Sequence, residues 1–114
     1  MSGISTHVLD TARGCPAAGV RVTLEQRDAR GEWHIIGRGE TDGDGRINTL
    51  TAPGAAPAPG EYSLTFSTRD YFQTSGVAGF YPSVTVTIEA IAGQTRYHVP
   101  LLLSPFGYST YRGS

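Results

Sequence analysis

The sequence lacks several features that mark secreted, membrane-bound and organelle-targeted proteins. Its single cysteine, Cys15, excludes a disulfide within the chain and therefore a disulfide-stapled secreted fold. The first residues have neither the basic start nor the apolar core of a signal peptide, and the last three differ from a peroxisomal targeting tripeptide. A polybasic or amphipathic membrane anchor is also absent from the sequence. We therefore expect a cytoplasmic protein without a membrane partner.

Neither sign of charge is in marked excess. Nine basic and ten acidic side chains are interspersed along the chain, so no basic stripe favours nucleic acid as a partner. The content of 39% apolar and 17% charged residues is typical of a folded protein and argues against disorder. With 114 residues, the chain is long enough for one domain, expected over residues 1–114, and too short for two.

Short strands and turns dominate the sequence pattern. Fifteen glycines and seven prolines interrupt the chain, and apolar residues alternate with polar ones in segments such as 20–25 and 62–66. A short helix is predicted over 69–77 with Thr68 as its N-cap, and the stretch 52–60 is predicted to be a surface loop. Strands are predicted at 4–10, 20–25, 33–41, 46–48, 62–66, 84–88, 94–103 and 108–112. This pattern predicts an all-β, two-sheet β-sandwich of about eight strands with one short helix.

The last two strands can be aligned from the turn between them. Residues 104–107 (SPFG) carry proline and glycine where a tight type I turn favours them. A two-residue hairpin closed by this turn pairs Leu103 with Tyr108 and Pro100 with Tyr111.

The two faces of this predicted hairpin differ in chemistry. Side chains alternate along a strand, so Tyr97, Val99, Leu101 and Leu103 share the natural core face with Tyr108 and Thr110. His98 and Tyr111 fall on the opposite face, beside the apolar Pro100 and Leu102. An outward face that is partly apolar usually contacts another subunit or a ligand.

Three histidines, His7, His34 and His98, are the candidates for proton transfer. An imidazole titrates near neutral pH and can accept or donate protons there. His7 lies in the first predicted strand and His98 on the outward face of the hairpin, whereas His34 is given no role. Spacing alone also fits hydrogen-bonded strand histidines without a catalytic function, and the residues themselves leave both interpretations open.

Metal chemistry is not expected. A zinc site needs three or four converging ligands, and no two histidines stand at strand or helix spacing. The run 42–46 (DGDGR) departs from the calcium-loop pattern and is better explained as a hairpin turn. Arg46, which follows it, is either a solvated surface cation or a fixed cation for an anionic ligand. Cys15 shows no sign of activation as a nucleophile, so the residues alone do not name a reaction.

Four blocks of sequence resemble the transthyretin-related family, and the tail resembles its hydroxyisourate hydrolase branch. These blocks span the chain in order: STHVLDT with GCPA at 5–17, TDGDGR at 41–46, YHVPLLLSP at 97–105 and YSTYRGS at 108–114. The resemblance implies a homotetramer, built as a dimer of dimers, with active sites at the dimer–dimer interface. It also implies catalytic roles for His7, Arg46 and His98, and substrate binding by His7 and Arg46 with Tyr111, Arg112, Gly113 and Ser114.

The reaction implied by the resemblance is hydrolysis of the cyclic amide of 5-hydroxyisourate, an unstable urate oxidation product, to OHCU (2-oxo-4-hydroxy-4-carboxy-5-ureidoimidazoline). His7 and His98 would activate water and protonate the leaving nitrogen, and Arg46 would stabilise the developing oxyanion. No cofactor is expected. Two other classes of protein remain open. One is a non-catalytic small-ligand carrier, and the presence of His7, Arg46, His98 and the tail counts against it. The other is a structural or adhesive sandwich domain, which the short, single-cysteine chain disfavours.

Overall fold

A computed structural model describes residues 3–52 and 54–114 and arranges them as two packed β-sheets with one helix. The predicted two-sheet sandwich is therefore confirmed. Nine strand segments replace the eight expected, because the two-residue segment Cys15–Pro16 also pairs. The elements are β1 (Gly3–Asp10), β2 (Cys15–Pro16), β3 (Arg21–Arg27), β4 (Trp33–Glu40), β5 (Arg46–Ile47), β6 (Gly60–Phe66), α1 (Thr68–Thr74), β7 (Val84–Ala90), β8 (Arg96–Ser104) and β9 (Gly107–Thr110).

The two sheets divide the strands unequally. The first sheet has the order β2-β1-β8-β9, with β5 also paired to β1, and the second has the order β4-β3-β6-β7. Every pairing is antiparallel except that between β1 and β8, which is parallel and aligns Ile4 with Tyr97 and Asp10 with Leu103. This parallel pair joins one end of the chain to the other and forms the middle of the first sheet.

Alternation along the strands builds the core between the sheets. Ile4 and Val8 of β1 and Leu101 of β8 are fully buried against Leu24 and Leu64 of the second sheet. Because successive strand residues point to opposite faces, the residues that alternate with Ile4 and Val8 along β1, such as His7, point away from the core. The helix α1 has seven residues. In the described part of the chain, no helix is long and apolar enough to cross a membrane.

One buried carboxylate ties the helix to the first sheet. The Tyr71 hydroxyl of α1 donates a 2.7 Å hydrogen bond to Oδ2 of Asp10, which is 2% exposed, and the Arg13 backbone N–H donates to Oδ1 at 3.1 Å. Burial, followed by the Asp10 hydrogen bond, raises the pKa of Tyr71 to about 12, so its hydroxyl remains a donor at neutral pH.

The hairpin register predicted from the turn is confirmed. Leu103 pairs with Tyr108 and Leu101 with Thr110. The final strand ends at Thr110 rather than at residue 112, because Pro100 has no N–H with which to continue the ladder. Pairing resumes where the Gly113 N–H donates to the His98 carbonyl at 2.9 Å, in the same register.

The predicted core face of the last hairpin is correct only for β8. Tyr108 and Thr110 of β9, which were predicted to share that face, are exposed.

The predicted helix differs from the structure at both ends. Thr68 is the first residue of the helix rather than its N-cap, and its hydroxyl donates to the Tyr81 carbonyl at 2.7 Å instead of capping the helix. The helix ends at Thr74 rather than at residue 77, because Gly76 follows with a φ of +68°, a left-handed conformation that interrupts helices. The predicted loop is irregular at 52 and 54–59, and Pro53 lies outside the described residues.

Candidate active site

The outer face of the first sheet brings together residues from three strands. The antiparallel pairing of β1 with β5 sets His7 directly opposite Arg46, and the parallel pairing of β1 with β8 sets Ser5 opposite His98. Directly opposed residues share a face. Since the alternate residue Thr6 is buried in the core, these four side chains point away from the core.

The predicted turn at 42–46 holds Arg46 in place. The Asp42 carboxylate accepts hydrogen bonds from the backbone N–H groups of Asp44 and Arg46 at 2.9 and 3.0 Å. These N–H donors lower the pKa of Asp42, so its carboxylate is charged at neutral pH. Gly45 is required because its φ is +75° and because a Cβ there would overlap the Val8 carbonyl oxygen. The turn therefore fixes the start of β5 against β1.

His98 is held from two sides. Nδ1 of its ring lies 2.8 Å from the Ser5 hydroxyl oxygen. Gly113 lies against the other side of the ring, where a Cβ would overlap the ring carbon Cδ2. Only glycine allows the backbone of the tail to approach the imidazole this closely.

A cavity of about 220 Å³ opens beside these groups. Its wall combines the hydroxyl of Ser5, two guanidinium groups and one imidazole with the last residue of the chain. The lining residues are Gly3, Ser5, Thr6, Arg46, Ile47, Asn48, Arg96, His98 and Ser114. Arg96 also donates a 3.2 Å hydrogen bond to the Ser114 carbonyl oxygen, which holds the tail at the rim.

The charged side chains that line the cavity share one sign. Within residues 3–52 and 54–114, neither Arg46 nor Arg96 has a side-chain carboxylate within salt-bridge distance, although the Asp42 carboxylate is close enough to Arg46 and His7 for their charges to lower its pKa. Burial lowers the pKa of His98 below its ordinary value of 6.5, and the charges of Arg46, His7 and Arg96 lower this pKa further. His98 is therefore neutral at pH 7 and able to accept a proton beside a cationic wall that suits an anionic or electron-rich ligand.

The predicted site residues are not all brought to this cavity. Arg46, His98 and Ser114 line it and Gly113 packs on the His98 ring, while His7 lies beside the cavity as the strand partner of Arg46. Tyr111 and Arg112 line a second cavity of about 320 Å³, between β7 and β8, which His98 also lines. There the Arg112 guanidinium carbon lies 5.5 Å from the centre of the Tyr97 ring, and Tyr111 is 57% exposed.

One potential metal-ligand group occurs in the described part of the chain, away from this cavity. Ligand atoms of Asp28, Glu32 and His34 lie within 4.8 Å of one another on the β3–β4 hairpin. His34 Nε2 is 2.6 Å from Asp28 Oδ2, so this histidine forms an exposed ion-pair contact when it is protonated. Neither His7 nor His98 belongs to the group.

Six residues that line the cavity were not identified as site residues from the sequence, and three of them have polar side chains that are not buried: Ser5, Asn48 and Arg96. Ser5 could have been found, because it precedes His7 by two positions and therefore shares its face of β1. Arg96 stands in the same two-residue relation to His98 in β8. Asn48 follows β5, which is too short to carry a readable alternation.

Comparison with known proteins adds a family and several close relatives. A profile of the HIUase/Transthyretin family matches residues 4–113. The 5-hydroxyisourate hydrolase of Salmonella dublin is 47% identical over 111 residues, which cover 97% of this chain and 80% of that protein.

Two solved structures share the fold. The 5-hydroxyisourate hydrolase of Klebsiella pneumoniae superposes with a TM-score of 0.85 at 34% identity, over 99% of this chain and 100% of that one. Sea bream transthyretin in complex with thyroxine superposes with a TM-score of 0.89 at 33% identity, over 96% of this chain and 93% of that one. The backbone therefore resembles a hydrolase and a thyroxine-bound structure about equally. The similar curated proteins, from 47% identity in Salmonella dublin to 39% in Schizosaccharomyces pombe, are named 5-hydroxyisourate hydrolase or probable 5-hydroxyisourate hydrolase, so the sequence comparison favours the hydrolase.

Proposed function

The chain belongs to the HIUase/Transthyretin family, and from that membership and its site we propose that it hydrolyses the cyclic amide of 5-hydroxyisourate to OHCU. The observation that carries the proposal is the convergence of Arg46 and a neutral His98 at a cavity whose lining, among the described residues, has no acidic side chain. A binding site for an electron-rich ring needs the cation, and hydrolysis needs the proton acceptor. The hydrolase is one domain over residues 1–114, cytoplasmic, and independent of any cofactor.

His98 and His7 divide the proton transfers. Neutral His98 accepts one proton from water while the water oxygen bonds to the ring carbonyl carbon. The carbon–nitrogen bond then breaks, its electron pair stays on nitrogen, and His7 protonates that nitrogen. Exchange of one proton through solvent returns both imidazoles to their starting states. The lowered pKa of His98 supports its assignment as the base.

Arg46 stabilises the charge that forms during this attack. Its guanidinium presents a rigid fork of donors to oxygen atoms, and the Asp42 turn fixes the backbone from which this side chain extends. Gly113 and Ser114 shape the cavity from the tail. Tyr111 and Arg112 bind substrate from the neighbouring surface of the assembled protein.

The assembly is a homotetramer, a dimer of dimers with the active sites at the dimer–dimer interface. Support comes from aromatic side chains left open around β9: Phe106 is 74% exposed, Tyr108 43% and Tyr111 57%. Four chains of 12.1 kDa each make about 48 kDa. Sedimentation equilibrium should give that mass, and a stable, active monomer would refute the tetramer.

The activity is tested by mixing the purified protein with freshly generated 5-hydroxyisourate and following the decay of substrate absorbance. We expect catalytic decay, first order in protein, well above the spontaneous rate. The similarity to a thyroxine-bound transthyretin makes a carrier the second candidate. A carrier would bind the ligand stoichiometrically and leave the spontaneous decay rate unchanged, so one titration separates the two functions.

A further inference from the structure

We propose that Ser5 is a positioning residue for His98: its hydroxyl holds Nδ1 in every protonation state of the ring and leaves Nε2 as the atom that exchanges protons. The proposal rests on the proposed hydrolase function and adds a residue to it. Ser5 touches the imidazole rather than the reacting atoms, so its contribution acts through His98.

The placement of Ser5 is fixed by the backbone. Ser5 and His98 are directly opposed in the parallel β1–β8 pairing, and the hydroxyl oxygen lies 2.8 Å from Nδ1. Both side chains line the same cavity. Among the described residues, Nε2 of His98 has no hydrogen-bond partner. One ring nitrogen is thus held by the sheet, and the other is available to water or substrate.

A hydroxyl suits a histidine that must change its protonation state. Serine has one O–H donor and two acceptor lone pairs, and its hydrogen rotates freely. It accepts from Nδ1–H when Nε2 is the free base or when the ring is protonated, and it donates to Nδ1 when Nε2 carries the proton. The 2.8 Å contact therefore survives each proton transfer, and only the hydroxyl hydrogen turns.

The neutrality of the hydroxyl matters as much as its two roles. The charged side chains that lower the pKa of His98 are His7 of β1, Arg46 of β5 and Arg96 of β8, and each is basic. On the other side of His98, the cavity between β7 and β8 is also lined by Glu89, Tyr111 and Arg112. A carboxylate at position 5 would stabilise the protonated imidazole and so raise the pKa of His98. Ser5 has no charge, so His98 remains a base at neutral pH.

His34 provides the contrast within the same chain. Its partner is the Asp28 carboxylate at 2.6 Å, a group that can only accept hydrogen bonds when it is charged. That contact stabilises a protonated ring and holds one arrangement. Replacing Ser5 by aspartate would give His98 the kind of partner that His34 has.

The test combines three substitutions at position 5 with two measurements. Ser5→Ala removes the hydroxyl, Ser5→Thr keeps it on a β-branched side chain suited to a strand, and Ser5→Asp adds a charge. Proton and nitrogen NMR of the His98 ring, without substrate, reports its tautomer and titration. The pH dependence of kcat and KM reports the reaction. Ser63→Ala is the control. It also removes a strand hydroxyl, but Ser63 and its partner Thr87 both lie on the second sheet, away from His98.

We expect Ser5→Ala to lower kcat about 10- to 100-fold with a smaller change in KM, as for other residues that orient a catalytic imidazole. Ser5→Thr should restore most of this loss. Ser5→Asp should move both the NMR titration of His98 and the acidic limb of kcat to higher pH. Ser63→Ala should match the parent in all of these measurements.

Two results would overturn the assignment. A parental tautomer and titration of His98 in Ser5→Ala would show that the hydroxyl does not hold the ring, whatever the activity of the protein. A loss of kcat in Ser5→Thr as large as that in Ser5→Ala would show that packing, and not the hydroxyl, is responsible. Because the NMR measurement needs no substrate, a parent without hydrolase activity would refute the proposed function and leave the Ser5 contact to be judged separately.

Discussion

The outer faces of the two sheets are both polar, but their polar groups are used differently. On the second sheet, hydroxyls pair across strands, Ser63 with Thr87 at 2.9 Å and Thr65 with Thr85 at 3.1 Å. On the first sheet, Arg46 and Arg96 lie beside the same cavity as His98, and among the described residues neither arginine forms a salt bridge with an acidic side chain. Polar residues on a strand therefore do not by themselves indicate a binding site. A group of basic side chains beside a cavity is a stronger indication.

The same comparison suggests where stability is lost for function. A cross-strand hydroxyl pair contributes about 0.2–1 kcal/mol, and like charges placed opposite one another are destabilising. The second sheet gains such pairs, whereas the first gathers cations that repel one another until a ligand arrives. We therefore expect an anionic ligand to raise the thermal stability of the protein by binding to the first sheet.

The largest difference between the sheets should be the effect on turnover of replacing a histidine. His98→Asn keeps a polar side chain and removes the titrating group, so turnover should fall about 100- to 10,000-fold while the fold and assembly persist. His7→Asn should do the same. His34→Asn, on the second sheet, should retain the parental kcat. Near-parental rates for both His7 and His98 variants would remove the histidines from the mechanism and favour the carrier.

The next effect should come from the backbone behind His98. In Gly113→Ala, the new Cβ would overlap the His98 ring, so either the ring or the tail must shift. A displacement of about 1 Å at a catalytic group can reduce the rate about 100-fold. Gly107→Ala is the matched control, because the nearest atom to its Cβ is the Ser104 hydroxyl oxygen at an ordinary 3.7 Å. Equal kcat values for the two variants would contradict the close approach of the tail.

A smaller effect concerns pH. Burial and nearby cations hold the pKa of His98 in the folded protein below its ordinary 6.5, so the unfolded chain binds the proton more readily. Stability should therefore fall as the pH drops below about 6.5, and the fall should end below the folded pKa. Denaturant titrations of the parent and of His98→Asn should differ in this window, with the shallower pH dependence in the variant. An identical pH dependence would show that His98 is not perturbed.

The smallest expected effect is a coupling free energy between two hydroxyl groups of the second sheet. A double-mutant cycle with Thr65→Ala and Thr85→Ala should give a coupling of about 0.2–1 kcal/mol in unfolding free energy. The rate of hydrolysis should not change in any of the three variants. A tenfold change in kcat would mean that the two outer faces are not independent.

Metal removal should have no effect on activity. The described potential ligand group, Asp28 with Glu32 and His34, lies on the second sheet and shares no residue with the cavity of the first. Dialysis against a strong chelator should leave the rate unchanged. Loss of activity that added zinc restores would show that the histidines have been assigned the wrong chemistry.

The sequence predicted what local chemistry determines. Proline and glycine in the turn at 104–107 set the register of β8 against β9, and aspartate and glycine set the turn before Arg46. It could not predict the parallel pairing of β1 with β8, because no turn links these strands and alternation defines faces but not neighbours. The contact of Ser5 with His98 was missed for that reason, although the spacing of Ser5 from His7 places both on one face of β1. The prediction of Thr68 as the helix N-cap was wrong because its hydroxyl donates to the Tyr81 carbonyl, an acceptor from another part of the fold.

The parallel pair also sets when the site can form. Ser5 and His98 are 93 positions apart, and at about 5–20 residues per second a ribosome needs about 5–20 s to synthesise the chain between them. During that interval β1 has only the two-residue strands β2 and β5 as partners, so one of its edges stays open. Closing so long a loop delays the central ladder relative to the local hairpins. We therefore expect the candidate site to assemble late in folding, and a nascent chain to expose an unpaired strand until β8 arrives.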